Sequence, residues 1–133
     1  MAFRRVTAAA ASEPPPGLFS NCLVAGGTIY ISGQHAGGPG GALAGDASMG
    51  GQTRTTLTRI KALVEAAGGT MADIVKLGVF TTDIGQRAAI SEARREFFAG
   101  DFPCSTLVEV KGLVHPDLLV EIEAIAVMGA GAR

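Results

Sequence analysis

Short apolar runs alternate with proline-rich and glycine-rich breaks along the first quarter of the chain. Residues 3–8 form a candidate strand, and the proline-rich residues 12–17 predict an extended connector. Two β-favouring apolar runs, residues 18–24 and 28–32, flank Ala25-Gly26-Gly27. This arrangement predicts a hairpin, because glycine accepts the positive φ angle that a tight turn needs.

The pattern then changes from a loop to a helix. Residues 33–51 are rich in glycine and show no period, so they predict a long loop, which in a small domain is often functional or mobile. Residues 52–67 follow the period of an amphipathic helix, which Gly68-Gly69 ends. Its apolar stripe consists of Leu57, Ile60, Leu63, Val64 and Ala67.

The second half contains three further β-type segments and one further helix. Residues 74–82 predict a strand, and residues 86–99 predict a helix that Gly100 stops. Residues 106–110 and 118–128 predict two more strands. The glycine- and alanine-rich residues 129–133 are expected to be a frayed tail.

This order, β-ββ-α-β-α-ββ, predicts a single α+β domain over residues 1–133, with residues 1–16 as an extended N-terminal segment. Two helices cannot cover both faces of such a sheet, so we expect both to pack on one face of a mixed sheet. Burial of the other face by neighbouring subunits is the preferred interpretation, and a buried central strand in a monomer is the alternative. The last predicted strand carries apolar residues on both faces: Val120, Ile122 and Ala124 on one, and Leu119, Ile125 and Val127 on the other.

Composition and charge narrow the classes of function. Of the 133 residues 47% are hydrophobic and 17% are charged, and the formal net charge is -1, which argues against nucleic acid as the main partner. No stretch approaches the roughly 20 apolar residues of a membrane span, so no membrane partner is expected. Cys22 and Cys104 stand in no CxxC or Cys/His spacing, so we predict no metal site and expect a cytoplasmic protein with reduced thiols.

Several segments resemble, in their order along the chain, one known family. They are Ile29-Tyr30-Ile31-Ser32-Gly33-Gln34, Val64-Glu65-Ala66-Ala67-Gly68, Val79-Phe80-Thr81-Thr82-Asp83, Phe102-Pro103 and Val120-Glu121-Ile122-Glu123-Ala124-Ile125-Ala126. Each segment is weak evidence alone. Together they cover nearly the whole chain and are similar to the YjgF/RidA family, which is also called the endoribonuclease L-PSP family.

The resemblance implies a chorismate-mutase-like fold and a homotrimer with a ligand cleft at each of its three interfaces. It also implies hydrolysis of reactive enamines and imines, such as 2-aminoacrylate, without any cofactor. In such members an arginine after the Phe-Pro element holds the substrate carboxylate, as guanidinium geometry favours. A glutamate on the last strand positions the attacking water or moves a proton.

The resemblance assigns roles to four residues. Glu121 falls on the family's glutamate and is the predicted catalytic residue, whereas Glu123, roughly 6.5–7 Å away on the same strand face, is expected to be structural. From spacing alone, this pair would be interpreted as ordinary solvated or salt-bridged carboxylates. Ser32 and Gly33 fall on a strand end that lines the family's cleft, where a hydroxyl and backbone N–H groups can bind a ligand.

Two positions depart from the family pattern. Ser105 stands where the arginine belongs, and Phe19 stands where the deaminating members carry a tyrosine. We include Phe19, Ser105 and Leu107 among the predicted ligand-binding residues. A serine cannot replace an arginine that binds a carboxylate through two hydrogen bonds. Losing such a charge-assisted contact weakens binding by about 1.5–3 kcal/mol. The sequence therefore predicts weak or absent turnover of 2-aminoacrylate.

Other residues are candidates for supporting roles. Arg87, at the start of the second predicted helix, is a predicted ligand-binding residue and could supply the missing cation, as could Arg54. Each is also interpretable as an exposed helix arginine. His35 could carry a proton near neutral pH, but we interpret it as a solvated loop histidine, and His115 as exposed.

Two classes of function remain open on this evidence. One is a cofactor-free hydrolase acting on a small imine, enamine or related molecule, favoured by Glu121 and Ser32-Gly33. The other is a small-ligand-binding or regulatory trimer, favoured by Ser105. A ribonuclease or translation inhibitor is the least favoured alternative, because the sequence contains no basic, aromatic-flanked patch.

Overall fold

A computed structural model describes residues 2–131 and shows a six-stranded mixed sheet with two helices. The strand order is β1-β2-β3-β6-β4-β5, and every neighbouring pair is antiparallel except β4 and β5, which run parallel. The helices are α1 (Met49–Ala66) and α2 (Arg87–Arg94). The strands are β1 (Phe3–Val6), β2 (Cys22–Ala25), β3 (Thr28–Gln34), β4 (Ile74–Thr81), β5 (Cys104–Glu109) and β6 (Val120–Val127).

The predicted α+β fold is confirmed, and both helices lie on one face of the sheet. Helix α1 packs across β3 and β6, and α2 packs against α1. Alternation along β6 sends one set of side chains under α1, where they form the core with the apolar stripe of that helix. The β6 side chains in this core are Val120, Ile122, Ala124 and Ala126, and those of α1 include Leu57, Ile60, Leu63 and Val64.

The opposite face of the sheet is uncovered in the single chain, and we call it the open face. Apolar side chains lie exposed on it, with Tyr30 at 48%, Ile125 at 36% and Val127 at 38% of their full accessible surface. In the ladders these residues stand side by side, because Tyr30 pairs with Ile125 and Thr28 pairs with Val127. A contiguous apolar area of this kind is typical of a protein–protein contact surface.

Most predicted element boundaries shift by a few residues. The hairpin turn is confirmed at Gly26, whose φ is 60°, but β2 begins at Cys22, because residues 18–20 are irregular and the side chains of Leu18 and Phe19 are exposed. Helix α1 begins at Met49, three residues before the predicted start. The Ser48 hydroxyl accepts the Gly51 N–H at 3.1 Å and so caps a first turn that its two glycines would otherwise disfavour.

The end of the described chain is more ordered than predicted. The Gly131 N–H donates to the Asp73 carboxylate at 2.8 Å, and the Ala130 N–H donates to the Val127 carbonyl at 3.0 Å. Asp73 also accepts the Thr70 N–H at the start of a short 3₁₀ turn, so it joins this turn to the C-terminal segment. The predicted frayed tail is therefore hydrogen-bonded at residues 129–131, and residues 132–133 lie outside the described part.

Within residues 2–131, neither helix has the combination of length and hydropathy that crossing a lipid bilayer requires.

Candidate active site

The two glutamates of β6 lie on the open face, and each covers a glycine of a neighbouring strand. Glu123 pairs with Gly78 of β4, and a Cβ atom placed on Gly78 would lie 2.7 Å from Oε2 of Glu123. A Cβ atom placed on Gly33 of β3 would lie 2.6 Å from Oε2 of Glu121. The two carboxyl groups therefore lie flat on the sheet, in spaces that any residue other than glycine would fill.

Glu121 is set apart from an ordinary surface glutamate by its surroundings. Burial raises the pKa of its carboxyl above the usual value, and the neighbouring charge of Glu123 raises that pKa further. Both causes disfavour the charged form of Glu121. Its carboxyl is thus better suited than a solvated one to exchange a proton near neutral pH.

Ser32 and Gly33 belong to an irregular end of β3. The register between β3 and β6 shifts between Ile31 and Gln34, so these two residues sit in a bulge next to Glu121. The Ser32 hydroxyl donates to the Ser20 carbonyl at 2.6 Å, which fixes its oxygen and leaves it able to accept. Ser32 lines a shallow depression of about 330 Å³ on the open face, together with Glu123 and Lys76.

Gly33 lines a second cavity, of about 520 Å³, which also includes Phe19. The Phe19 side chain is 57% exposed. Three of the predicted site residues, Glu121, Gly33 and Phe19, therefore lie in one region, with Ser32 adjoining it.

Ser105 and Leu107 do not lie in that region of the same chain. In the parallel ladder Ser105 pairs with Leu77 and Leu107 pairs with Val79, two residues that are buried under the helices. Glu121 instead pairs with Phe80, which alternates to the opposite face. Glu121 and Ser105 are thus on opposite faces of one sheet, separated by β4.

A guanidinium does lie at Ser105, and it belongs to neither arginine singled out from the sequence. Nη1 of Arg94, near the end of α2, donates to the Ser105 hydroxyl at 2.8 Å. Burial lowers the pKa of Arg94, and the adjacent charge of Arg95 lowers it further. No sequence motif points to Arg94, although it follows Arg87 by seven residues and so shares its helix face.

The two arginines proposed from the sequence lie elsewhere. Nε of Arg54 donates to Glu96 at 2.8 Å in an exposed ion pair on the outer side of the helices. Arg87 is exposed at the start of α2, without a side-chain hydrogen bond or ion pair among residues 2–131.

His35 is half-buried rather than solvated. Its Nδ1 accepts the Gly37 N–H at 3.0 Å, and its ring meets the His115 ring edge-on with the ring centres 6.4 Å apart. Burial lowers the pKa of His35, and the nearby Arg59 and His115 lower it further. No sequence spacing predicts this pair, because the loop between β5 and β6 brings His115 to residue 35.

Comparison with known proteins agrees with this architecture. The family model described as Endoribonuclease L-PSP matches residues 10–128. A Pseudomonas aeruginosa protein of unknown function is 45% identical, with a TM-score of 0.84 over 96% of this chain and 93% of that chain. The crystal structure of Escherichia coli TdcF with bound serine is 33% identical, with a TM-score of 0.82 over 93% and 98% of the two chains.

A third solved structure, RidA from an Antarctic Psychrobacter bacterium, is 30% identical, with a TM-score of 0.82 over 94% of this chain and 100% of that chain. The fold, the ordered sequence segments and these matches place the chain in the YjgF/RidA family, the endoribonuclease L-PSP family of the matching model.

Proposed function

We propose that this protein is a cofactor-free hydrolase of a reactive enamine or imine, working in clefts between the subunits of a homotrimer. The observation that carries the proposal is the carboxyl of Glu121, half-buried over Gly33 with a raised pKa. Such a group can give a proton in one step and take one in the next.

The placement of the site residues supports an assembly. Glu121 and Ser105 are on opposite faces of the sheet in one chain, so only a second copy can bring Ser105 and Leu107 to Glu121. The open face that carries Glu121 is also the one with exposed Tyr30 and Ile125, which a neighbouring subunit would cover. In this assembly each cleft combines Glu121, Ser32, Gly33 and Phe19 of one subunit with the β5–α2 edge of another.

The reaction follows from a single proton-exchanging group. Protonated Glu121 donates its proton to the β-carbon of the enamine, which becomes an iminium ion. The resulting carboxylate takes a proton from water while the water oxygen bonds to the iminium carbon, which gives a neutral carbinolamine and restores protonated Glu121. Glu121 then gives its proton to the nitrogen and takes the hydroxyl proton as the C–N bond breaks and the C=O bond forms, so that one enamine and one water give one carbonyl compound and one ammonia.

Ser32 and Gly33 bind rather than react in this scheme. The Ser32 oxygen is oriented by its bond to the Ser20 carbonyl, and the bulge leaves room for a ligand to approach the backbone. TdcF, a similar protein, has been crystallised with serine bound, which supports a small ligand in this family's fold.

Arg94 supports a carboxylate-bearing substrate. Its guanidinium reaches Ser105, the position where the resemblance places a carboxylate-binding arginine. Arg94 and Ser105 together can offer a charged donor and a hydroxyl donor to a carboxylate. With Arg94 present, turnover of 2-aminoacrylate is expected, in contrast to the prediction made from Ser105 alone.

The second candidate is a trimer that binds a small ligand without transforming it. The serine at position 105, where the resemblance predicts an arginine, favours it, because a hydroxyl holds a carboxylate less firmly than a guanidinium does. For both candidate functions we propose that the protein is cytoplasmic, since Cys22 and Cys104 are both free thiols.

The test is an assay of imine hydrolysis. Serine dehydration or amino-acid oxidation generates the imine, semicarbazide traps it, and formation of the free carbonyl acid is followed with and without the protein. The wild-type protein should accelerate release of the acid, Glu121→Gln should lose about 10²–10⁴-fold of the rate, and Glu123→Gln should lose much less. Equal losses in the two variants, or no acceleration by wild type with any imine while ligand binding persists, would favour the binding trimer.

A further inference from the structure

The cavity beside Gly33 contains charged and titratable groups that the proposed reaction does not use. Arg59 of α1, His35 after β3 and His115 between β5 and β6 all line it, together with Phe19 and Gly33. We call this cavity of about 520 Å³ the histidine pocket. Three separate parts of the chain thus contribute one potentially cationic side chain each.

The charges around the histidine pocket do not cancel. Arg59 is half-buried, and no carboxylate among residues 2–131 forms an ion pair with it. Glu13 also lines the pocket, but its carboxylate pairs with Arg5 and accepts a further bond from Asn21 Nδ2 at 3.3 Å. The pocket therefore keeps the positive charge of Arg59. A partly buried charge without an opposite charge beside it is unfavourable, and a bound anion would supply that charge.

The donors in the pocket are oriented before any ligand binds. Arg59 directs Nη1 to the carbonyls of His35 and Gly37, the latter at 2.7 Å, while its Nε and Nη2 have no partner among the described residues. Because Nδ1 of His35 accepts the Gly37 N–H, neutral His35 carries its hydrogen on Nε2 and offers it as a donor. The His115 ring packs close to Gly41 and Gly37, which limits its movement.

From this arrangement we propose that the histidine pocket binds the anionic group, a carboxylate or a phosphate, of a small metabolite through Arg59, His35 and His115. The exposed ring of Phe19 contacts the apolar part of the ligand, and Gly33 connects the pocket to Glu121. The proposal does not depend on catalysis by Glu121, since it concerns binding alone.

The first test measures binding of two simple anions, pyruvate and sulfate, to the intact protein. Both keep a constant charge across the range in which histidine titrates, so any pH dependence belongs to the protein. We expect both side chains, His35 and His115, to shift in spectra of ¹⁵N-histidine-labelled protein on addition of at least one anion. Preference for pyruvate identifies a carboxylate ligand, and preference for sulfate identifies a phosphate-like one.

The sign of the pH effect is fixed by the groups around His35. The side chains of Arg59 in α1 and His115 in the loop face His35, and both oppose its protonation. The Gly37 N–H also opposes it, because it donates to Nδ1 of His35. The carboxylate of Glu13 is paired with Arg5. A bound anion favours the protonated form of His35, so affinity should rise as pH falls through the histidine range, and the bound anion should raise the pKa of His35.

Substitutions complete the test. Arg59→Gln should weaken anion binding by about tenfold or more, while Arg54→Gln, on the same helix but outside the pocket, should leave it unchanged. His115→Gln keeps the loop bonds of Arg59 and removes one imidazole from the pocket, so it should weaken anion binding. Should Arg59→Gln disturb the loop, two other results still decide. Either no shift at His35 and His115 with both anions, or an affinity of the His115→Gln variant equal to that of the wild-type protein at every pH, would overturn the proposal.

Discussion

The carboxyl of Glu121 occupies the space that a side chain on Gly33 would need. A Cβ atom at residue 33 would lie 2.6 Å from Oε2 and 2.8 Å from Cδ of Glu121, well inside van der Waals contact. Gly33 does not have a positive φ angle, so its backbone would accept alanine. Glycine is needed here because it leaves room for the carboxylate, and not because of its backbone conformation.

Gly33→Ala should therefore displace the Glu121 carboxyl towards solvent. Because burial is the main cause of its raised pKa, that pKa should fall towards the usual glutamate value, and imine hydrolysis should fall with it. Carboxyl-carbon NMR titration of both proteins measures the change. Gly78→Ala is the matched control, because it displaces Glu123 in the same way but leaves the burial of Glu121 intact. An unchanged Glu121 pKa in Gly33→Ala would contradict the packing argument.

A second prediction concerns stability and pH. The folded-state pKa of Glu121 is raised, so its contribution to stability is fully present below the usual glutamate pKa and is lost as pH rises through the folded-state value. Glu121→Gln should remove this loss and make the protein more stable than wild type at neutral pH, although less active. Urea unfolding of both proteins across the acid-to-neutral range measures the difference. If the wild-type protein is instead more stable than Glu121→Gln at neutral pH, the prediction is wrong and the charged carboxyl of Glu121 is well stabilised in the folded protein.

The Glu121–Glu123 pair gives a third prediction. The charge of Glu123 raises the pKa of Glu121, so Glu123→Gln should lower that pKa and shift the alkaline side of the pH–rate profile, where protonated Glu121 is lost, to lower pH. The maximal rate should change little, since Glu123 does not exchange the proton. A profile that keeps its position would mean that burial alone sets the pKa of Glu121.

The sequence predicted the fold better than the site, and the reason is physical. Periodicity fixed α1 and β6, because their apolar stripes form one core, and the ordered segments identified the family. The Arg94–Ser105 bond could not be predicted in the same way, since it depends on the rotation of α2 over β5. The contact of His35 with His115 likewise depends on how a long loop folds, which no period encodes.

A fourth prediction tests the assembly. The open face places Ile125 beside Tyr30, so Ile125→Asp should put a charge into the proposed subunit interface and yield a smaller species by light scattering. Lys61→Asp changes a charge at an exposed position of α1 and should leave the mass unchanged. A wild-type protein that is monomeric at micromolar concentration would remove both the trimer and the shared cleft.

The last prediction concerns Arg94, which donates a hydrogen bond to Ser105, where the resemblance predicts an arginine. If Arg94 holds the substrate carboxylate, Arg94→Gln should weaken binding of a carboxylate-bearing ligand by about 10–100-fold, the effect of losing a charge-assisted contact. The amide of the same ligand has no negative charge, so the same variant should leave its affinity nearly unchanged. Arg87→Gln, on the same face of α2 but without a bond to Ser105, is the control and should affect neither ligand. Both affinities can be measured by calorimetry with the wild-type protein and the two variants. The acid and the amide differ in charge and hardly in shape, so a general distortion of the cleft by Arg94→Gln would weaken the binding of both equally. That result would contradict the prediction and leave Arg94 as a structural partner of Ser105.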